Sequence, residues 1–237
     1  ELLNKVNEAS KHMGLSINVA KTKYLLISKR SQHDSKLFVG TELIEKVNKF
    51  KYLGSWINES GDHAQEIKVR IEMARSTFFR MSKVLCDRDL SLNLRLRIVR
   101  CYIYSVLLYG VETWTLTQKT TKNLEAFEMW IYRRILKISW RDRVSNIEVL
   151  NRVKKKTELI NTIKRRKLSY FGHVMRNEKY RMLQLVIQGK IAGRRSVGRR
   201  RHSWLKNLRD WFGCSTTSLF RAAASKVKIA LMLSNLR

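Results

Sequence analysis

Ile67, Ile71, Ala74, Phe78, Met81 and Leu85 recur at spacings of 4, 3, 4, 3 and 4 residues. That spacing puts all six on one stripe of an α-helix, a face that must be buried against something. The pattern returns between residues 120 and 138, through Leu124, Phe127, Ile131, Ile135 and Ile138. Between the two, residues 91–113 are apolar enough for the central helix of a bundle. Residues 145–153, 157–175, 204–211 and 216–236 read as further helices. No proline occurs in 237 residues, so no ring breaks these helices, and the loops must turn on Gly, Ser, Asn and Asp.

The first 61 residues carry a different pattern. Leu2, Leu3, Val6, Ala9 and Met13 have helical spacing, stopped by Gly14. Residues 17–19 and 23–28 read as short strands around a bend. Residues 36–39 and 42–47 read as a hairpin about Gly40-Thr41, and residues 50–57 as another strand. Asn58 to Gly61 form a turn, with Asp62 as a helix cap. The expected class is therefore α+β: a helix and a small antiparallel sheet at the N-terminus, then a mainly α-helical remainder. The expected segments are 1–61, 62–140 and 141–237.

Charge narrows the function. The formal net charge is +30. Residues 1–118 hold 19 basic and 12 acidic side chains, whereas residues 119–237 hold 30 and 7. After Glu178 the only acid is Asp210, against 14 Lys and Arg. A field of one sign repels itself unless a polyanion neutralises it, so nucleic acid is the leading partner, ahead of a bare solvated surface or an anionic membrane. The longest apolar run, residues 101–111, is about half of the ~20 residues a membrane span needs. The three cysteines, Cys86, Cys101 and Cys214, are far apart, and the five histidines are scattered. A zinc site or a disulfide framework is not expected, and reduced intracellular thiols are.

Two early segments add a resemblance. Residues 14–23 (GLSINVAKTK) and 50–57 (FKYLGSWI), in this order and at this separation, resemble the last two blocks of a reverse-transcriptase palm. Downstream, residues 94–114 (LRLRIVRCYIYSVLLYGVETW), 124–140 (LEAFEMWIYRRILKISW), 163–176 (IKRRKLSYFGHVMR), 193–201 (GRRSVGRRR) and 203–205 (SWL) are similar to the C-terminal region of the endonuclease–reverse transcriptase of LINE-type, non-LTR retrotransposons. The similarity runs in order over nearly the whole chain. One departure is the missing proline near Arg200.

The resemblance implies an end of palm over 1–61, a thumb over 62–140 and a basic C-terminal region over 141–237. It implies partners: an RNA template, a DNA primer at a nicked chromosomal site, and the upstream palm and fingers. A nuclear location follows, with a cytoplasmic ribonucleoprotein stage. Polymerisation in the family uses two Mg²⁺ ions held by a Tyr-x-Asp-Asp hairpin. This chain has no Asp-Asp, so no cofactor and no polymerase activity are expected of it alone. Asp87 and Asp89 read as inter-helix loop residues.

By the same resemblance, Lys21 is the candidate general acid toward the leaving pyrophosphate, or equally the charge that steers incoming nucleotide. Lys23, two positions on along the same expected strand face, is not separable from it. Phe50, Tyr52, Leu53 and Gly54 would form the primer grip, the hairpin that presses the primer end toward the metals. Phe50, Tyr52 and Trp56 would share one strand face, with at least one of them in the core. Lys68, Arg75 and Lys83 would track phosphates of the template–primer duplex. Arg133, Arg134 and Lys137 lie on the outer face of their helix, and Arg133 and Arg134 are expected to contact nucleic acid. Residues 154–156, Lys164, Arg165, Arg166 and Lys167, and Arg194, Arg195, Arg199, Arg200 and Arg201 are basic runs expected to contact RNA or DNA. The last run also fits a nuclear-localisation signal. Trp204 and Trp211 share a helix face and read as core before base-stacking platforms. The rival readings are a non-enzymatic nucleic-acid-binding protein derived from a retrotransposon, and a protein-interaction scaffold.

Overall fold

A computed structural model describes residues 2–27, 36–155, 157–190 and 203–236. The chain divides into two units, Glu1–Glu66 and Ile67–Arg237. The expected class holds: a helix and small two-stranded sheets come first, and the rest is helical.

In the first unit, α1 (Leu2–His12) is followed by six short strands: β1 (Lys23–Tyr24), β2 (Phe38–Val39), β3 (Glu42–Leu43), β4 (Glu45–Lys46), β5 (Lys49–Tyr52) and β6 (Ser55–Asn58). They form three separate pairs rather than one sheet, and one pair, β1 with β4, is parallel. The hairpin about Gly40-Thr41 forms as expected, with Val39 opposite Glu42. Residues 17–19 are not a strand. Asn18 accepts the Lys21 and Thr22 amides through Oδ1 and its carbonyl, at 3.0 and 2.9 Å, and these local bonds replace a ladder. The apolar stripe of α1 is also not core, since Leu2 and Met13 are 77% and 81% exposed while Asn7 is buried.

The second unit is a helical assembly entered through α2 (Ala64–Arg80), whose first turn belongs to the first unit. Asp62 accepts from the Ser60 hydroxyl and the Ala64 amide, at 2.7 and 3.0 Å. These bonds hold its carboxyl below the usual range. Then follow α3 (Ser82–Leu85), α4 (Leu92–Ile98), a π-helical turn (Val99–Ile103), α5 (Tyr104–Leu107), α6 (Gln118–Leu136), α7 (Asn146–Val153), α8 (Leu159–Arg176), α9 (Arg181–Gln188), α10 (Trp204–Phe212), α11 (Thr216–Ala223) and α12 (Lys226–Ser234). Residues 91–113 are thus not one helix. A π-turn interrupts it, and it ends before a short 3₁₀ turn, Val111–Thr113. Residues 216–236 split where Ser225 caps α12 by accepting from Lys228 N–H.

Two hydrophobic clusters fill this unit. The larger includes Ile67, Ile71, Ala74, Phe78 and Leu85 of the opening stripe with Leu124, Phe127, Ile131 and Ile135 of α6, and reaches Ile163. The smaller joins Leu168, Phe171, Leu208, Leu219, Ala223 and Ile229. The single helix α8 serves both. Gly172 makes the second cluster possible, because a Cβ there would stand 3.1 Å from Ile229 Cγ1 and 2.7 Å from Arg176 Nη1.

Buried polar groups pin the helices. Glu128 of α6 is fully buried. Its Oε1 accepts from Glu158 N–H and Leu159 N–H, at 2.7 and 2.9 Å, and from the Tyr132 hydroxyl at 3.0 Å. It therefore caps α8 from 30 residues away, at an end where no local side chain does so. Arg95 likewise donates to the Ile135 carbonyl at 3.1 Å, at the C-terminal turn of α6.

Candidate nucleic-acid interface

Residues 50–57 are a hairpin, not a single strand. Leu53 and Gly54 form its two-residue turn, both with positive φ, at 47° and 85°. That geometry is of the I′ type that suits paired strands. Gly54 adopts it freely, whereas a leucine there is strained by about 1–2 kcal/mol. The register sets Phe50 opposite Ile57 and Tyr52 opposite Ser55. Phe50 and Tyr52 therefore share one face, and Trp56 lies on the other beside Lys49, whose Nζ sits 5.6 Å from the indole centroid. The expected common face of Phe50, Tyr52 and Trp56 does not form, because the chain reverses between them. Phe50, Tyr52 and Leu53 are exposed at 41%, 57% and 75%. The Trp56 amide donates to Glu66 Oε2 at 2.7 Å, tying the hairpin to the first turn of α2.

Lys21 lies in the turn that Asn18 organises, and its side chain is exposed. Lys23 lies on β1, opposite Glu45 in register, with Nζ 2.8 Å from the Glu45 carboxylate. The two lysines, inseparable by spacing, differ in environment: Lys23 is neutralised by its partner and Lys21 stands in solvent. The shared strand face does not exist, since Lys21 is not on a strand.

In the second unit, Lys68, Glu72, Arg75 and Phe79 follow one another at spacings of 4, 3 and 4 along α2, on one outer stripe. Arg134 of α6 joins them. The guanidinium carbons of Arg75 and Arg134 stand 5.2 and 5.6 Å from the Trp130 ring centroid, and Arg134 is 5.9 Å from that of Phe79. Arg75 also meets Glu72 at 3.5 Å. Two cations held over an aromatic surface are a fit for phosphate and base faces together. Lys83 is exposed on α3. Arg133 is turned toward the chain, donating to the Val144 carbonyl at 2.7 Å and to Asn146 Oδ1 at 2.9 Å; this corrects its expected place on a nucleic-acid surface, since its donors hold the approach to α7.

The basic run of α8 separates by helix face. Lys164 is half-buried. Arg165 is exposed and donates to the Leu236 carbonyl at 3.1 Å. Arg166 pairs with Glu112 at 2.7 Å. Lys167 is fully buried, which corrects its expected place on a nucleic-acid surface. Its ammonium donates to the Trp114 carbonyl at 2.6 Å and to Asn207 Oδ1 at 3.1 Å. The Trp204 and Trp211 ring centroids lie 4.8 and 5.2 Å from Nζ. Burial pushes its pKa down to about 7. The reason for the location is helical: Lys167 shares the inner face with Ile163 and Phe171, spaced four apart, and a long side chain fills the gap between two indoles. The two tryptophans thus serve the interior, and Trp204 Nε1 donates to the Glu112 carbonyl at 2.8 Å.

Beside Arg166 opens a cavity of about 550 Å³ between the outer face of α8 and the turn carrying Glu112. Ser169, Tyr170 and His173 line it. Sequence reasoning passed over these residues; the spacing of Arg166, Tyr170 and His173, by 4 and 3, and an acid directly after an apolar run are the signals that mark them. Asn207 is a second omission. Its amide exchanges two hydrogen bonds with the Leu116 backbone, at 2.8 and 2.7 Å, as a strand partner would.

Arg194, Arg195, Arg199, Arg200 and Arg201 lie outside the described residues, as does Lys156. Among the described residues no group of three or more His, Cys, Asp or Glu is placed to hold a metal ion. Asp87 accepts from the Asp89 amide at 3.0 Å in the loop between α3 and α4. The donor set among the described residues does not fit the paired Mg²⁺ ions that the resemblance implies. No described helix is long and apolar enough to cross a membrane.

No family model and no solved structure matches the chain. Over 217 residues it is 29% identical to an uncharacterized transposon-derived protein of Caenorhabditis elegans, an alignment that covers 88% of this chain and 75% of that protein. The chain is thus a distant homologue of a protein of transposable-element origin.

Proposed function

We propose that this chain corresponds to the end of the palm, the thumb and the basic C-terminal region of a non-LTR retrotransposon reverse transcriptase, and that it grips RNA template and DNA primer. The observation that carries this reading is the β5–β6 hairpin, which holds Phe50, Tyr52 and Leu53 in solvent on a strained two-residue turn. An apolar tip on an anchored hairpin is costly to leave bare, and strain of this kind persists where a site uses it. The transposon-derived relative and the net charge of +30 support the same reading. In it, Lys21 faces incoming nucleotide, while Lys68, Arg75, Lys83 and Arg134 follow the duplex backbone. The exposed apolar face of α1 would pack on the rest of a palm. The setting is nuclear, at chromosomal DNA, with a cytoplasmic ribonucleoprotein stage.

Polymerisation would require Mg²⁺ ligands from outside the residues described. The second reading is a non-enzymatic nucleic-acid-binding protein of the same origin, which the net charge of +30 fits equally. Fluorescence anisotropy with an RNA–DNA hybrid carrying a recessed primer end tests the shared core of both. Binding through ~6–10 phosphate contacts should weaken by ~10³–10⁵ between ~50 and ~200 mM salt. Absence of binding at physiological salt overturns both. A Phe50→Ala/Tyr52→Ala double variant that loses its preference for the primer end, with duplex affinity intact, separates the grip from general binding.

A further inference from the structure

The cavity beside α8 has a chemistry more specific than a basic surface. Its volume, about 550 Å³, is in the range of small-ligand pockets and suits one nucleotide. Tyr170 and His173, three residues apart, lie on the outer face of α8. The His173 ring meets that of Tyr180 at 5.5 Å, and Tyr170 meets Trp204 edge-on at 6.4 Å. These rings are fixed by neighbours and so lose little freedom when a base stacks on them. Arg165 stands exposed among the lining residues, in reach of a phosphate.

Glu112 gives the pocket its selectivity. Arg166 reaches Oε1 through both Nε and Nη2, at 2.8 and 2.7 Å. Neither bond uses Oε2, the second acceptor of a side chain that is 24% exposed and belongs to a residue lining the cavity. An ionised carboxylate accepts and never donates. It matches bases whose edges carry an exocyclic amine and opposes the carbonyl edge of uracil or thymine. Burial, with Tyr180 and Glu112 nearby, raises the Tyr170 phenol above its ordinary pKa, so it keeps its proton as a donor.

We propose that this pocket takes one unstacked base of a single-stranded nucleic acid and prefers a base that carries an amino group. The proposal rests on the nucleic-acid-binding reading above and adds a site and a base preference to it. Such a pocket would read a loop or an end, where bases are free of pairing, while the basic surface holds the backbone.

The test is anisotropy of the full chain with labelled octamers of rC, rA and rU and with a duplex of matched length, at fixed salt. Octamers of rC and rA should bind about tenfold tighter than rU, the low end of what one good base contact supplies. Tyr170→Ala should bring rC and rA down to the rU level and leave duplex affinity unchanged. His173→Ala, at an exposed position, should act in the same direction and carries the test if Tyr170→Ala does not fold. Glu112→Gln should equalise rC and rU. Equal binding of all octamers, unmoved by His173→Ala and Glu112→Gln, overturns the pocket while leaving general binding intact. Failure to bind any octamer or the duplex overturns the wider reading, and this one with it.

Discussion

The Lys167 ammonium donates to the carbonyl of Trp114 at 2.6 Å, joining two residues 53 positions apart inside the helical unit. Its pKa is about 7 in the folded chain against an ordinary value of 10.5. Between those values the unfolded chain binds a proton that the folded chain does not. Stability should therefore rise with pH from about 7 to 10.5 and be flat with respect to this group below 7. The slope is at most ~1.4 kcal/mol per pH unit. Urea unfolding at a series of pH values across that window measures it. Lys167→Met should flatten the slope, and it should cost ~1–3 kcal/mol at the low end by leaving the Trp114 carbonyl without a donor.

Glu128→Ala should be among the most damaging single changes, at ~3 kcal/mol or more, because a half-buried and a buried amide at the start of α8 lose their acceptor together. Glu128→Gln should cost far less, since one amide oxygen can still accept both. If thermal unfolding shows the two variants equally destabilised, the role of Glu128 is its charge and not its cap.

Leu53→Asn should relieve the turn, as asparagine followed by glycine is the preferred pair for this geometry. Melting should rise by a few degrees. Under the primer-grip reading the same variant should bind recessed primer ends more weakly, because it removes an apolar tip. Stability up and primer-end affinity down, in one variant, is the expected signature.

Lys137 and Lys154 end α6 and α7 with φ of 57° and 54°. Each forms the paired closing bonds of a left-handed helix terminus, with Ile138 N–H to Arg133 O at 2.9 Å and Lys155 N–H to Leu150 O at 3.2 Å. Replacing either lysine by glycine should stabilise by ~1 kcal/mol. The pair should be close to additive in denaturant midpoint.

Arg75→Ala with Arg134→Ala should weaken binding to all sequences alike and lower the salt slope by about 2. A loss that depended on sequence would move these residues from backbone contact to base readout.

Much of the helical unit was legible because burial of a stripe is written in its spacing. Ile67, Ile71, Ala74, Phe78 and Leu85 are buried as their period demands, as are Leu124, Phe127, Ile131 and Ile135. Serines 145 and 203 mark helix starts by accepting from amides three residues on. The breaks were less visible. Nothing in 91–113 announces a π-turn, and Leu53 conceals a reversal because leucine is a poor turn residue. The interface was legible only as charge. Which cations face outward depends on partners far along the chain: Lys167 on Trp114 and Asn207, Arg133 on Val144, Arg166 on Glu112. A run of four basic residues along one helix turn must point in several directions, and only the tertiary partners decide which.

The helix α8 runs through both hydrophobic clusters, with Ile163 in one and Leu168 and Phe171 in the other. A rigid rod shared by two cores leaves no seam at which one can melt and the other persist. The helical unit should behave as one cooperative foldon, and protection of α8 amides from hydrogen exchange should equal that of the whole. A ligand held on the outward face of α8 should therefore stabilise both cores together.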